Sequence, residues 1–482
     1  MGYYPPWTDE QLADIARGNP QIQVEGLGIN SLRPALFAHF LEQWGYNIRV
    51  NAFQHYQKLG LKDLVCFIGY PAEQHLIQQS FCGADNPTVL FENMYTDIWD
   101  NGENGTPVND ENYYALYLYK MLLQYKDYIK IWEIWNEPDF DYGGNAWKPA
   151  DIPGNWWKNN PEPCSYALKA PVFYYIRLLR ISYEVIKYMD PEAYIAIGGL
   201  GFPSFLDAVL RNTDDPNGGQ TSKAYPLQGG AYFDVMSFHS YPHIDGSMKK
   251  WDNAKQGFDY FRHSDAAAEG VLKVKREFER VLERYAYDGQ TYPEKHYIIT
   301  ECNIPRKAFS EFMGSEEGQI NFMIKTLVGV QKEGVKQFHV YSLSELNTYE
   351  AAQTEFQLMG LYEHLEKTPP YQQKATSLGI GYKTVAELLH GRYYDEALTK
   401  AMNLPNNVDG AAFTNRTDDP VYVLWAKTSK DQSEAASASY TFPKKLQKEI
   451  LQIREWDFAK NRQQRNLEGN SVQLGATPIF IY

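Results

Sequence analysis

Short apolar runs alternate with longer stretches of helical spacing over most of the chain. The clearest run is 63–71 (DLVCFIGYP), apolar almost throughout, as a strand buried on both faces must be. Similar runs fall at 27–34 (LGINSLRP), 129–139 (IKIWEIWNEPD), 193–200 (AYIAIGGL), 232–243 (YFDVMSFHSYPH), 295–306 (KHYIITECNIPR) and 335–345 (VKQFHVYSLSE). Between or after them, 35–45, 111–128, 170–189, 266–285, 318–332 and 373–390 carry apolar residues at helical spacing. Strand and helix in alternation predict repeated βα units around a parallel sheet. Seven strands are visible where a (β/α)8 barrel needs eight, and the missing first is expected at 3–6 or at 21–25.

Past about residue 394 the pattern changes. The segments 422–428 (YVLWAKT), 438–442 (ASYTF) and 472–482 (VQLGATPIFIY) read as strands with no helix between them. The fold class expected is therefore α/β, a (β/α)8 TIM barrel over 1–393 with a small, sandwich-like β-rich domain over 394–482. That module either packs on the barrel for stability or binds carbohydrate, and the first reading is favoured. A chain of 482 residues has room for both parts, because a barrel takes roughly 250.

Composition narrows the partners. With 46 Lys and Arg against 60 Asp and Glu, the formal net charge is −14. Phosphate neutralisation needs clustered cations, so nucleic acid and anionic membrane surfaces are disfavoured. No apolar run reaches the roughly 20 residues that span a bilayer, so no membrane insertion is expected. Aromatic residues are 15% of the chain, with 37 Tyr, 24 Phe and 11 Trp. Such rings pack cores, and they also stack on the C–H faces of sugars. The four cysteines, Cys66, Cys82, Cys164 and Cys302, show no CxxC spacing. Cys66 reads as core, whereas Cys82 and Cys164 sit in loops and have the option of pairing. The abrupt start at Tyr3-Tyr4-Pro5-Pro6 is read as a secreted or periplasmic chain whose export signal has been removed.

Barrel enzymes keep their chemistry at the C-terminal ends of the strands. The run 129–139 ends Trp135-Asn136-Glu137-Pro138-Asp139, with Pro138 stopping the strand. The run 295–306 carries Ile298-Ile299-Thr300-Glu301. Each glutamate follows apolar strand residues directly, and the two lie 164 residues apart, the scale of three βα units. Two carboxylates across a cleft are what glycoside cleavage requires: one protonates the leaving oxygen and the other attacks the anomeric carbon. The acid must hold its proton while the nucleophile stays ionised. Tyr241, Arg33 and His239, all at expected strand ends, are candidates for holding Glu301 charged. Asn136 can donate its amide to a sugar hydroxyl beside the reacting carbon.

Trp135-Asn136-Glu137-Pro138 together with Thr300-Glu301 resembles the signature of clan A glycoside hydrolases. Ser237-Phe238-His239-Ser240-Tyr241 is similar to the sixth-strand segment of family 39 and its relatives. The resemblance covers roughly residues 25–390. It implies a retaining β-glycoside hydrolase working through a covalent glycosyl-enzyme intermediate, with Glu137 as general acid/base and Glu301 as nucleophile. It maps the family's His and Tyr onto His239 and Tyr241, and its strand-two Arg onto Arg33. Many clan members carry a Trp at the end of strand eight, where this chain has Tyr341.

Trp135, Tyr341 and the loop residues Trp147, Trp156 and Trp157 are further candidates for binding an oligo- or polysaccharide. The loop tryptophans stack on sugars or merely pin the loop, with neither reading preferred. His243 and Asp245 line the mouth or sit in an exposed loop, and Glu133 is expected to be a buried hydrogen-bonding residue. Gly199-Leu200-Gly201 lacks the rest of a dinucleotide fingerprint. The ten His show no HExxH spacing, so no metal or other cofactor is expected. Two alternatives remain: a catalytically silent carbohydrate-binding protein on the same barrel, which the presence of both glutamates disfavours, and a metal-dependent hydrolase or aldolase. Sugar identity, exo or endo action and oligomeric state are not readable from the sequence.

Overall fold

The structure is a computed structural model that describes residues 4–482 apart from 142, 161–163, 416–418, 448–450 and 468. The central feature is a seven-stranded sheet with strands in chain order: β1 Ala35–Phe37, β2 Leu64–Gly69, β3 Ile129–Ile134, β4 Tyr194–Ile197, β5 Val235–Ser240, β6 His296–Cys302 and β7 Gln337–Val340. The pairs β1–β2, β2–β3, β3–β4 and β4–β5 are parallel. Helices separate the strands, as parallel connections require.

The strand expected at 27–34 is displaced. Its ladder begins at Ala35, and helix α2 (Ala38–Trp44) follows at once. The backbone of 30–34 is still extended beside β2: Lys62, Val65 and Phe67 donate their N–H groups to Asn30, Leu32 and Pro34 at 2.9–3.1 Å. Pro34 shifts the recognised strand, because it can accept but not donate along a ladder. Neither site proposed for the missing strand provides one. Tyr3 lies outside the described residues, Pro5 and Pro6 are in a turn, 20–22 is a 3-10 helix, and Val24 makes an isolated antiparallel bridge to Asn19.

By contact the chain divides into two compact units. One is Asn30–His239 with Lys275–Thr300, and the other is the described part of Gly2–Ile29 with Ser240–Val274 and Glu301–Tyr482. Strands β5 and β6 each pass from the first unit to the second within their last residues.

In the first unit one side chain from each of five successive strands joins a single buried cluster: Val65, Ile131, Ala196, Val235 and Ile298. A flat sheet does not bring five strands onto one cluster, so the sheet is curled around this layer. On its outside run α3 (Val50–Lys58), α4 (Tyr113–Tyr125) and α5 (Val172–Met189). Asn112 caps α4 by accepting from the N–H of Ala115 at 3.1 Å. A short helix, α6 (Pro203–Arg211), is not expected from the periodicity, although Pro203 occupies the position Pro favours at a helix start. Asp139 accepts from the N–H groups of Gly201 (2.9 Å) and Phe202 (2.8 Å) just ahead of α6, tying the segment after β3 to this helix. Cys82 and Cys164 form a disulfide with 6.3 Å between their Cα atoms.

In the second unit α1 (Asp9–Arg17) is opened by a reciprocal capping box between Thr8 and Gln11. The helix α7 (Ser264–Arg284) starts here and ends in the first unit. Next come α8 (Glu316–Lys332) and α9 (Ser377–Leu389), capped by Ser315 and Thr376. The C-terminal strands are β8 Tyr393–Tyr394, β9 Val408–Thr414, β10 Val421–Ala426, β11 Ala438–Thr441, β12 Gln452–Arg454, β13 Gln464–Asn466, β14 Ser471–Leu474 and β15 Ile479–Ile481. Six form a sheet in the order β8-β9-β10-β15-β12-β13, and β11 pairs with β14 separately. Both faces of the large sheet's central strands are buried. Ala411, Phe413, Val421, Val423 and Trp425 face Ile320, Ile324 and Val328 of α8 and Val385, Leu388 and Leu389 of α9. The alternate residues Ala412, Tyr422, Leu424 and Ala426 meet Tyr440, Val472 and Leu474 of the small sheet. Period two thus gives one strand pair two cores.

A buried ionic cluster holds this module to α7 and α8. Asp265 accepts from Trp425 Nε1 (2.8 Å), from Thr428 N (2.8 Å) and Oγ1 (2.6 Å), and from Lys325 Nζ (2.7 Å). Burial alone would push this carboxyl up, but Lys325 and the Thr428 hydrogen bonds outweigh it and hold Asp265 below the usual carboxylate range. Removing one partner of a buried pair strands the other. Asp265→Ala should therefore cost about 3–5 kcal/mol in denaturant unfolding. Asp139 behaves oppositely, since burial, reinforced by Glu137, pushes its carboxyl up to about 7. The folded state then binds this proton more tightly than the unfolded chain does. The stability it contributes is full below the ordinary value of 3.8 and is lost as pH rises through about 7. Asp139→Asn should flatten the pH dependence of the melting temperature over that window.

Candidate active site

The sequence Trp135-Asn136-Glu137 follows the last residue of β3, and the backbone there is unusual. Trp135 and Glu137 have φ of 73° and 47°, left-handed values that a non-glycine residue holds only when its surroundings enforce them. Two contacts do so. The N–H of Glu137 donates to Gly198 O at 2.9 Å. The Trp135 indole stacks on Tyr70 with centroids 4.3 Å apart and lies so close to Gly69 that a Cβ there would sit 2.5 Å from it. Pro138 then prevents the strand from resuming.

Beneath this turn, Glu133 is fully buried. Its Oε2 accepts from Arg33 Nε at 2.6 Å, and its Oε1 accepts from Ser237 Oγ (2.6 Å) and Thr300 Oγ1 (2.7 Å). Arg33 in turn donates from Nη2 to Asn136 Oδ1 at 2.7 Å, which orients the Asn136 amide with its NH2 end away from the guanidinium. The guanidinium also lies 4.3 Å over the Phe67 ring.

His239, 5% exposed, links this network to the turn. Its Nδ1 lies 2.7 Å from Glu137 Oε1 and its Nε2 lies 3.1 Å from Thr300 Oγ1. Only a glycine fits at 199, since a Cβ there would lie 2.3 Å from Nε2. Arg33, Asn136, Glu137 and His239, all candidates from the sequence, therefore share one hydrogen-bonded cluster within the first unit. Ser237 and Thr300 join it; both stand in the sequence motifs, where they carry no assigned role. Ser237 could have been found from its place two residues before His239 on a strand, where side chains repeat on one face.

The second unit holds the other candidates. Tyr241 donates its hydroxyl to Glu301 Oε2 at 2.7 Å. A donated hydroxyl stabilises a carboxylate in its charged form. The Tyr241 ring meets Tyr341 and Phe356 edge-on, with centroids 5.9 Å and 5.1 Å apart. Asn303 holds the chain near Tyr341 by donating to the carbonyls of Tyr341 and Met359, each at 2.7 Å. His243 is not an exposed loop residue. It is buried edge-on to Tyr241, Phe312 and Phe356, and burial lowers its imidazole to about 3. Asp245 accepts from the N–H of Ser247 at 2.8 Å, and burial raises its carboxyl.

The three loop tryptophans have different surroundings. Trp156 is 2% exposed, donates from Nε1 to Cys164 O at 2.6 Å and packs on Phe202 and Phe205. Trp157 is half-buried under the Arg284 guanidinium, 5.5 Å from its ring. Trp147 is 51% exposed and touches Phe202 edge-on.

No protein-family model and no curated protein matches the chain. Solved structures do. A family 39 glycoside hydrolase from the gut symbiont Bacteroides cellulosilyticus WH2 is similar with a TM-score of 0.59 and 13% identity, over 100% of this chain and 79% of that one. A GH30 endoxylanase from Clostridium papyrosolvens C71 gives 0.52 and 12%, over 98% and 92%. A family 51 α-L-arabinofuranosidase from Bifidobacterium longum gives 0.51 and 11%, over 99% and 91%. At such identities the likeness is one of fold, and the fold is that of glycoside hydrolases of the kind the resemblance to clan A implies.

Proposed function

We propose that the chain is a retaining β-glycoside hydrolase on a closed (β/α)8 barrel, with Glu137 as general acid/base and Glu301 as nucleophile. One observation carries this reading. His239 bridges Glu137 to Thr300 by hydrogen bonds, and Glu301 is the next residue after Thr300 on β6. The two glutamates thus follow strand residues that already belong to one polar cluster. The fold shared with glycoside hydrolases supports the same reading.

In the first half-reaction Glu301 attacks the anomeric carbon while Glu137 gives its proton to the departing oxygen. In the second, Glu137 takes a proton from water, which attacks the same carbon and frees Glu301. Tyr241 holds the Glu301 oxygen that is not forming the bond. Asn136, oriented by Arg33, offers its NH2 to a ring hydroxyl, and Tyr341 and the exposed Trp147 offer aromatic faces to an oligo- or polysaccharide. Trp156 backs Trp147 through Phe202, which touches both rings, and Trp135 and Trp157 are further rings for the same substrate. Residues 1–393 form the catalytic part and 394–482 an accessory module. A secreted or periplasmic location suits the Cys82–Cys164 disulfide.

Purified protein should hydrolyse one member of a panel of p-nitrophenyl β-glycosides, and NMR of the first-formed sugar should show the β-anomer. Glu301→Gln should abolish turnover. Glu137→Ala should lose about 10²–10⁴-fold on poor leaving groups. It should keep most of the first-step rate on dinitrophenyl glycosides, whose leaving group needs no proton. A first-formed α-anomer, or full activity in Glu301→Gln, would overturn these roles.

A further inference from the structure

The hydrogens in the Glu133 cluster have little freedom. Glu133 is paired with Arg33, so it is a carboxylate and can only accept. Thr300 Oγ1 lies 2.7 Å from Glu133 Oε1. Ser237 Oγ lies 2.6 Å from the same oxygen and 2.7 Å from Thr300 Oγ1, so two hydroxyls bring two hydrogens to three short oxygen contacts. Turning the Thr300 hydroxyl to His239 would leave two of the three without one. That hydroxyl has one hydrogen. Towards His239 Nε2, 3.1 Å away, Thr300 therefore presents a lone pair, and Nε2 must carry the proton.

We infer that Glu133 is a positioning residue that fixes the tautomer of His239 through Thr300, keeping Nε2 protonated so that His239 gains or loses its proton only at Nδ1. Nδ1 is the nitrogen 2.7 Å from Glu137 Oε1. With neutral His239 this contact requires the hydrogen to come from the Glu137 carboxyl. With charged His239, Nδ1–H donates to the Glu137 carboxylate. The proton that Glu137 gives and regains is thus shared with one defined ring nitrogen. The groups that face the imidazole within this unit are Glu137 after β3 and Thr300 on β6, with Glu133 and Arg33 behind Thr300. The value of this arrangement for catalysis rests on Glu137 being the acid/base, but the tautomer itself does not.

The isosteric change Glu133→Gln reverses the chain of donors. Arg33 Nε must still donate, so the new amide turns its oxygen to Arg33 and its NH2 to Ser237 and Thr300. Thr300 then accepts from the amide and can donate to Ser237 or to Nε2. Adding Ser237→Ala removes the first acceptor, so Thr300 donates to Nε2 and the imidazole proton moves to Nδ1. Long-range 1H–15N correlation spectra of protein labelled with 15N-histidine read this directly, with His239→Gln identifying the signal. Above the pH at which His239 is charged, the natural protein and Thr300→Ser should show a protonated Nε2, and the double variant Glu133→Gln with Ser237→Ala a protonated Nδ1. Thr300→Val, which leaves the Glu133 charge in place, should weaken the Nε2 preference.

On the β-glycoside that the protein hydrolyses, the double variant Glu133→Gln with Ser237→Ala should lose about 10²-fold or more in kcat for poor leaving groups. The first-step rate on dinitrophenyl glycosides should hold, and the alkaline limb of kcat should move to lower pH. A protonated Nδ1 in the natural protein, or an unchanged tautomer in the double variant Glu133→Gln with Ser237→Ala, overturns the inference. So does a switched tautomer with kcat and its pH profile unmoved. Absence of turnover in the natural protein with the tautomers as stated would refute the glycosidase reading and leave the tautomer assignment standing.

Discussion

A carboxylate that never meets solvent organises the strand ends. Glu133 lies in the interior of the curled sheet, where an ion without partners would cost several kcal/mol. Its three hydrogen bonds are therefore obligatory. They come from Arg33 ahead of β1, Ser237 on β5 and Thr300 on β6. Segments far apart in sequence must converge for the charge to be satisfied. A one-residue slip of any of those strands would turn its donor to the opposite face. The same three bonds set the strand registers and deliver Asn136, Glu137 and His239 in fixed orientations.

The chemistry is layered on that constraint. The apolar cluster of Val65, Ile131, Ala196, Val235 and Ile298 curls the sheet, so that side chains from non-adjacent strands can meet above it. Left-handed backbone at Trp135 and Glu137 then turns the chain out of β3. The cost of that conformation is carried by the Tyr70 stack and the bond from Glu137 N to Gly198 O. Around the turn the two acidic neighbours diverge. Glu133 is matched by Arg33, whereas Asp139 is buried against backbone N–H groups alone and holds its proton to about 7.

Much of this is legible in the sequence because it is local. Six of the seven sheet strands lie inside the apolar runs, and the helices α4, α5, α7, α8 and α9 overlap their expected segments. The glutamates stand out because each follows apolar strand residues. What the pattern does not reveal depends on partners remote in sequence or on short elements. The strand expected at 27–34 is displaced because Pro34 breaks donation while the backbone stays extended. The helix α6 spans nine residues behind a Pro start and is buried over 204–210, so it shows no polar face for helical spacing to stand out against. The helix α1 is announced by the Thr8–Gln11 capping box, a signal easily lost in a polar segment. Thr300 and Ser237 are ordinary strand residues until Glu133 gives them a role. The loop tryptophans look alike in sequence, and only packing separates the buried Trp156 from the exposed Trp147.

The proposed mechanism stands or falls on the covalent role of Glu301. The most direct measurement uses the 2-deoxy-2-fluoro dinitrophenyl derivative of the β-glycoside that the protein turns over, followed by mass spectrometry of the intact and digested protein. The fluorine slows both steps, and the activated leaving group lets the first one proceed, so the intermediate accumulates. The mechanism predicts a single fluoroglycosyl adduct, with loss of one dinitrophenolate per chain, on the peptide carrying Ile299-Thr300-Glu301-Cys302. An adduct on any other carboxylate, or inactivation-free turnover with inversion, would contradict it.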